Sequence, residues 1–285
     1  MDTNISTKTK VLLAVLSIPI MIWTIIPIIW ILAMSLKGSA ALSDPSRNVF
    51  GNFWPKEISF ENYKLIFQGG ASELFLPALR NSLVVCLSST LISVVLAMFC
   101  AYAISRLEFP GKRIILGTAL AVSFFPVISM VTPLYELWRN IGLFDTIPGL
   151  ILPYLALTLP LSIWTMTAFF QQIPWEMEQA AQVDGATEWQ IFWRVVLPLM
   201  KPGLISTAIL NGVWMWNEFF IPLIVAFKPE SQTMPVGIVA FIGSYSTEWG
   251  LVFASVVIAT APVIFAYLLI TRQFQSGLTA GAIKG

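Results

Sequence analysis

Six long apolar runs, separated by polar connections of very different length, dominate the pattern of this chain. They lie at roughly Val11–Met34, Leu79–Ile104, Ile114–Leu137, Pro148–Phe170, Leu204–Phe227 and Leu251–Ile270. Each reaches the length of about 20 residues that a helix needs to cross a bilayer core. The runs are continuous rather than alternating, so they predict membrane helices and not barrel strands. The expected fold is an all-α polytopic membrane protein with six transmembrane helices, forming a single transmembrane domain over residues 1–285.

The polar connections are as informative as the spans. Between the fourth and fifth runs lies Pro174–Pro202, where Glu176, Glu178, Asp184 and Glu188 fall close together. A bilayer does not hold that many unpaired acids, so this segment lies outside the membrane. Pro174 suits a helix start, and acids in the following turn complement the helix dipole. Asp184–Gly185–Ala186 then breaks the pattern, with Gly185 permitting a tight turn. Thr187 is placed to cap a second helix, Glu188–Leu197, which Pro198 is expected to end. Trp189, Phe192, Trp193 and Val196 repeat at helical spacing and predict an apolar face on it. A helix, a glycine turn and a helix between spans four and five read as a docking element.

The connection Lys37–Pro77 is a long excursion on the other side. Within it, Ser59–Phe67 predicts a short amphipathic helix capped by Ser59 and lying at the interface. Arg80–Asn81–Ser82 reads as an interfacial anchor at the start of the second span. Prolines at positions 19, 27, 126, 133, 153, 160, 222 and 262 predict kinked helices and mildly favour a conduit. Asn217–Glu218 interrupts the fifth run, and an acid at that depth costs a few kcal/mol. Glu218 is thus either a residue of the transport path or a structural hydrogen-bonding anchor.

Composition agrees with the pattern and narrows the chemistry. Of 285 residues, 57% are hydrophobic and 11% charged, and the mean hydropathy is +0.80. There is no histidine, which removes Ser–His and Cys–His catalysis and any histidine-bearing metal site; no catalytic or metal-binding residue is expected. Cys86 and Cys100 share one run, about 21 Å apart along a helix, too far to bond. The net charge of +1, without a basic tract, gives no sign of nucleic-acid binding. No small-residue cleavage site precedes the first run, so it is expected to remain as an anchor. Lysine and arginine fix the orientation. One set of connections carries Lys8, Lys10, Arg106, Lys112, Arg113, Arg194, Lys201, Arg272 and Lys284, whereas the short loops opposite carry Arg139 and Lys228. Both termini and Pro174–Pro202 are therefore expected in the cytoplasm.

The segment Gln179-Ala180-Ala181, Gly185, Val195-Val196-Leu197-Pro198 resembles the Glu-Ala-Ala motif of the membrane subunits of ATP-binding-cassette (ABC) importers, with Asp184–Gly185–Ala186 matching its Asp-Gly-Ala. Gln179 stands where the motif has glutamate, directly after Glu178, and Val195 replaces an isoleucine. Residues 105–113 (SRLEFPGKR), Gly142–Thr146 (GLFDT), Trp216–Phe219 (WNEF) and Gly277–Gly285 (GLTAGAIKG) extend the resemblance over nearly the whole chain, to the carbohydrate, or maltose-type inner-membrane permease, branch.

The resemblance implies a permease subunit of an ATP-driven, binding-protein-dependent importer that moves a sugar or sugar-like solute across the inner membrane by alternating access. Its partners would be a second homologous permease, two ATPase subunits or a dimer of one, an extracytoplasmic solute-binding protein, and membrane lipid. ATP and Mg would sit on the ATPase subunits, and this chain would bind no cofactor. Glu178, Gln179, Ala180, Ala181, Asp184, Gly185, Ala186, Leu197 and Pro198 would form the coupling element seated on an ATPase. Gly277, Leu278, Thr279, Gly281 and Lys284, in a cytoplasmic tail over residues 272–285, would contact it too. The loop Lys228–Glu248, with Gly243, Ser244 and Tyr245, would meet the binding protein. The chain lacks a Gly-x-x-x-x-Gly-Lys-[Ser/Thr] loop, so hydrolysis is expected on the partners. The alternative is an ion-coupled secondary transporter of a small polar solute; scarce intramembrane acids and no clear inverted repeat speak against it.

Overall fold

The computed structural model describes residues 6–38, 42, 53–68, 70–243 and 247–282. Among them the regular structure is helical, with an isolated antiparallel bridge between Ile242 and Thr247 and no sheet. In chain order the helices are α1 (Thr7–Ser35), α2 (Glu61–Phe67), α3 (Gly70–Arg106), α4 (Lys112–Ser123), α5 (Val131–Ile141) and α6 (Ile147–Phe170). Then follow α7 (Trp175–Val183), α8 (Glu188–Leu199), α9 (Lys201–Trp216), α10 (Phe220–Val225), α11 (Met234–Val239) and α12 (Trp249–Ala282).

Four stretches, Leu12–Ser35, Gly70–Arg106, Ile147–Phe170 and Trp249–Leu268, are each long and apolar enough to cross a membrane as one helix. The other two expected spans are broken. The third divides into Lys112–Ser123 and Val127–Ile141, set at 89°. Pro126 accounts for the break: it is extended at φ −64° and ψ 120°, and its ring drives the residue before it out of the helical region. The expected fifth span also stops early. Helix α9 has 16 residues, about 24 Å, short of a core about 30 Å thick. It ends at Trp216, and the chain resumes helix only at Phe220. Among the described residues, length and composition give these four helices, or up to six crossings if two bent pairs each count as one: Lys112–Ser123 with Val127–Ile141, and Glu188–Leu199 with Lys201–Trp216 at 66°.

Most intrahelical prolines do not interrupt their helices. The chain stays helical through Pro19 and Pro27, Pro77, Pro153 and Pro160, and Pro262. Kinks are the expectation at the prolines of the predicted spans; among the described residues the helix gives way outright before Pro126. The last helix also runs past the expected end of its span and continues to Ala282, through most of the segment expected to be a separate tail.

The chain divides into two compact units. In the first, Asn62 of α2 is the fastener. Its Nδ2 donates to the carbonyls of Ser35 at 3.0 Å and Lys37 at 2.7 Å, just at and beyond the end of α1. The Tyr63 hydroxyl pairs with Ser35 Oγ at 2.8 Å, and Trp30 meets Phe253 edge-on at 5.2 Å. Asn62 and Ile66 are fully buried while Phe60 and Phe67 are exposed, so α2 is an amphipathic docked helix. Its cap differs from expectation: Phe60 holds the N-cap position without a side-chain bond, and Ser59 Oγ accepts from Glu61 N–H at 3.2 Å.

In the second unit, α3, α6 and α9 share a buried polar knot. Asn211 Nδ2 donates to Ser93 Oγ at 3.1 Å and to Ser162 Oγ at 2.8 Å, and Thr158 Oγ1 donates to Ser93 at 3.3 Å. All four side chains are buried, so the knot satisfies itself and cinches three helices. Each such interhelical bond in a membrane bundle contributes about 0.6 kcal/mol on average. Cys86 and Cys100 are free.

Candidate functional site

The segment between α6 and α9 folds as a helix, a turn and a helix, as its residue pattern predicts. Helix α7 begins after Pro174, which takes the N-cap position, with Glu176 and Glu178 in its first turn. The two acids have different fates. Glu176 is exposed, whereas Glu178 is 2% exposed. Its Oε1 accepts from Arg106 Nε at 2.6 Å. Arg106, in the last turn of α3, also donates from an Nη to the Ile173 carbonyl at 3.1 Å and lies 5.3 Å from the centre of the Trp175 ring. One guanidinium therefore holds the exit of α6 and the entry of α7 together. Glu178 is occupied inside the chain, so it does not supply the surface charge that Gln179 lacks.

The turn has a full set of backbone reasons. Gly185 N–H donates to the Gln182 carbonyl at 2.9 Å, and Ala186 N–H reaches back to Ala181 at 3.0 Å. This is the paired 5→2 and 6→1 closure of a Schellman motif, which requires its C′ residue in the left-handed region. Gly185 provides it, with φ 83°. Helix α8 then opens on a reciprocal cap: Thr187 Oγ1 accepts from Gln190 N–H at 3.3 Å, and Gln190 Oε1 accepts from Thr187 N–H at 2.9 Å. The Thr-x-x-Gln spacing signals this capping box in the sequence, although only its Thr187 half was expected. Gln182 Nε2 donates across the turn to Glu188 Oε1 at 3.1 Å.

Pro198 does not end α8. The helix widens to a π turn over Phe192–Val196 and continues to Leu199. Proline lacks an N–H and crowds the carbonyl four residues back, and a widened turn before it relieves both problems. The expected apolar face also divides. Phe192 and Val196 are buried, with Phe192 stacked at 5.5 Å on Phe99 and edge-on at 4.9 Å to Tyr102. Trp189 and Trp193 instead remain exposed. The underside of the element is thus packed onto α3 and α6 through Met98, Met166, Phe170 and Ile191.

Its upper side carries Gln179, Ala180, Asp184, Gly185 and Pro198, all exposed, with Ala181, Ala186 and Leu197 half-buried at the edge. Val183 is 87% exposed and Trp189 64%. Large apolar side chains thus stand exposed together with the motif residues on this element.

The other expected residues are separate from this surface. Asn217 and Glu218 form the joint between α9 and α10. Asn217 Nδ2 donates to the Val213 carbonyl at 2.7 Å, closing the helix that ends, and Glu218 Oε1 accepts from Ile221 N–H at 3.1 Å, opening the next. Of the two readings left open for Glu218, this geometry supports the anchor. Glu218→Gln keeps an acceptor oxygen and is expected to leave stability near the starting value. Glu218→Leu is expected to lose about 1 kcal/mol, the worth of a helix cap, as measured by thermal unfolding of the purified complex. Gly243 is exposed beside the Ile242–Thr247 bridge, and Ser244 and Tyr245 lie outside the described residues. Gly277, Leu278, Thr279 and Gly281 fall in the last turns of α12, and Lys284 lies outside the described residues. Arg80–Asn81–Ser82, expected as an interfacial anchor, has Asn81 and Ser82 buried.

A model of the family described as "Binding-protein-dependent transport system inner membrane component" matches residues 93–280. The trehalose transport system permease protein SugB of Mycobacterium tuberculosis is 44% identical over 95% of this chain and 97% of its own length. The trehalose/maltose transport system permease protein MalG of Thermococcus litoralis is 35% identical, with 97% of each chain covered. A bacterial ABC transporter involved in the import of the acidic polysaccharide alginate contains a chain that superposes with a TM-score of 0.79, covering 94% of this chain and 98% of that one at 24% identity. That likeness carries the fold. The ion-coupled alternative is not favoured by any of these. A family match over most of the chain, and relatives that align from end to end, agree with a helical bundle that presents a bolted surface element: this chain belongs to the binding-protein-dependent transport system inner membrane components and is a multi-pass permease subunit of an ABC importer.

Proposed function

We propose that this chain is one of two paired six-helix permeases of an ATP-driven importer for a sugar or sugar-like solute. The α7–Gly185–α8 element seats in a groove of an ATPase subunit, and hydrolysis of ATP with Mg takes place on those partners. The observation that carries this reading is mechanical. The element is exposed on one side, while Arg106 and an aromatic underside fix its other side to α3 and α6. A push on the exposed side therefore moves the ends of membrane helices.

Helix α3 supports a second part of the reading. From Asn81 to Arg106 it rises about 37 Å, more than the thickness of a bilayer core. The coupling element and the segment beside Asn81 thus belong to opposite membrane faces. With the lysine and arginine bias, the coupling element and both termini lie in the cytoplasm. The loop Lys228–Glu248 lies outside, where it meets a solute-binding protein. Gly277, Leu278, Thr279, Gly281 and Lys284 contribute a further contact to the ATPase. The solute class follows the names of the relatives, which are permeases of trehalose, maltose and related glycosides.

The test is uptake of labelled trehalose and maltose into vesicles holding the permease pair, its ATPase and its binding protein. Uptake is expected only with ATP inside and binding protein outside. Uptake driven by a proton or sodium gradient without ATP overturns the proposal.

A further inference from the structure

The segment Phe227–Met234 joins α10 to α11 with little regular structure, yet side chains from two distant parts of the sequence grip it. One is Asp145, in the GLFDT loop between α5 and α6. Its Oδ1 accepts from Phe227 N–H at 2.6 Å, Lys228 N–H at 2.9 Å and the Ser231 hydroxyl at 2.8 Å. The Asp145 N–H donates in turn to the Val225 carbonyl at 2.9 Å. The other grip comes from α3. Asn81 Nδ2 donates to the carbonyls of Glu230 at 2.7 Å and Gln232 at 3.0 Å, and Ser82 Oγ accepts from Met234 N–H at 2.7 Å.

Two features separate this from an ordinary connector. Asp145 sits at φ 57°, a left-handed conformation that aspartate and asparagine tolerate and most residues do not. Three donors converge on one of its oxygens, and its charge is held there. Burial pulls the carboxyl pKa up, but donation from Lys228, Ser231 and Phe227, with the Lys228 charge, brings it below the ordinary 3.8. Asn81 and Ser82 are buried and Asp145 is half-buried; of the segment they hold, Ser231 and Met234 are buried, while Phe227, Lys228, Pro229 and Glu230 are exposed.

We propose that Asp145 and Asn81–Ser82 are positioning residues of the transport cycle. Asn81 and Ser82 clamp the root of the Lys228–Glu248 loop to α3, the helix whose far end carries Arg106 and the coupling element, and Asp145 clamps it to the loop between α5 and α6. The proposal rests on the reading that this loop meets the solute-binding protein. With its root clamped, docking of the binding protein bears on a membrane helix instead of being lost in slack chain.

The experiment uses the complete complex in vesicles with three variants. Asp145→Gly keeps the left-handed backbone and removes the acceptor. Asp145→Asn keeps both the conformation and an acceptor oxygen. Asn81→Ala removes the second grip. Two quantities are read: hydrogen exchange of the peptide spanning residues 227–236, and the ratio of binding-protein-stimulated to basal ATP hydrolysis. In D145G and N81A, exchange is expected to accelerate and the ratio to fall, each by about ten-fold or more, the worth of charge-assisted and buried hydrogen bonds. D145N is expected to restore most of both. Unchanged exchange in D145G and N81A overturns the clamp, whatever hydrolysis does. Faster exchange with an unchanged ratio overturns instead the docking reading of the loop, and the positioning role with it.

Discussion

Replacing Arg106 by methionine is expected to uncouple ATP hydrolysis from uptake and to destabilise the α6–α7 corner by about 3–5 kcal/mol, the usual cost of stranding one member of a buried ion pair. The side chains of Arg106 and Glu178 are 9% and 3% exposed, so water does not take over when one is removed. The guanidinium also loses its bond to the Ile173 carbonyl and its place near the Trp175 ring. That frees both sides of the corner through which the coupling element is attached. The double variant Arg106→Met with Glu178→Leu separates the two effects. Apolar replacement of a whole buried pair is often neutral or stabilising, so the double variant is expected to regain most of the lost thermal stability. Its uptake is expected to stay low, because the Ile173 bond is not rebuilt. Unfolding midpoints of the purified complex and uptake per ATP hydrolysed in vesicles make the comparison. Normal midpoint and normal coupling in R106M would remove Arg106 from the mechanism.

That pair shows where sequence reasoning runs out. Spacing within the chain exposed the spans, the polar insert and the glycine joint, because each depends on neighbours a few residues away. Gly185 and Thr187 were legible for that reason: a Schellman closure and an N-cap are local events. Arg106 and Glu178 are 72 residues apart, and nothing in either local pattern names the other. The same holds for Asp145 with Ser231 and for Asn81 with Glu230, which looked like a motif fragment and an interfacial anchor. The breaks at Pro126 and at Asn217–Phe219 sit at an intermediate level. The residues that cause them, Pro126 and Asn217–Glu218, stand in plain sight in the sequence, but hydropathy averaged over a window smooths a break of a few residues into one apolar span. The division of α8's aromatic face has another cause. A helical repeat predicts which side chains share a stripe, not how wide the groove beneath it is. The packing of Phe99 and Tyr102 against Phe192 leaves Trp189 and Trp193 outside.

Substitutions at Gly185 are expected to rank by backbone tolerance and not by size, with asparagine closest to wild type, alanine worse and valine worst. A Cβ added at Gly185 meets nothing within 4 Å, so within this chain there is room for any of them. The cost arises from φ 83°. For an ordinary L residue the left-handed region costs roughly 1–2 kcal/mol, asparagine is partly excused, and β-branching makes matters worse. The cheapest escape is to open the 5→2 and 6→1 bonds at Gln182 and Ala181, which swings α8 relative to α7. The joint then no longer transmits an ATPase movement to the corner that Arg106 holds. Uptake per ATP hydrolysed, measured in vesicles for the three variants, is expected to fall in the order Asn, Ala, Val. The competing account is that glycine is needed only so that the ATPase can approach closely. It predicts the opposite order for the first two, because asparagine is the larger side chain. Alanine outperforming asparagine would therefore move Gly185 from the hinge to the contact surface, while the ranking by backbone conformation would locate its function in the turn that joins the two helices.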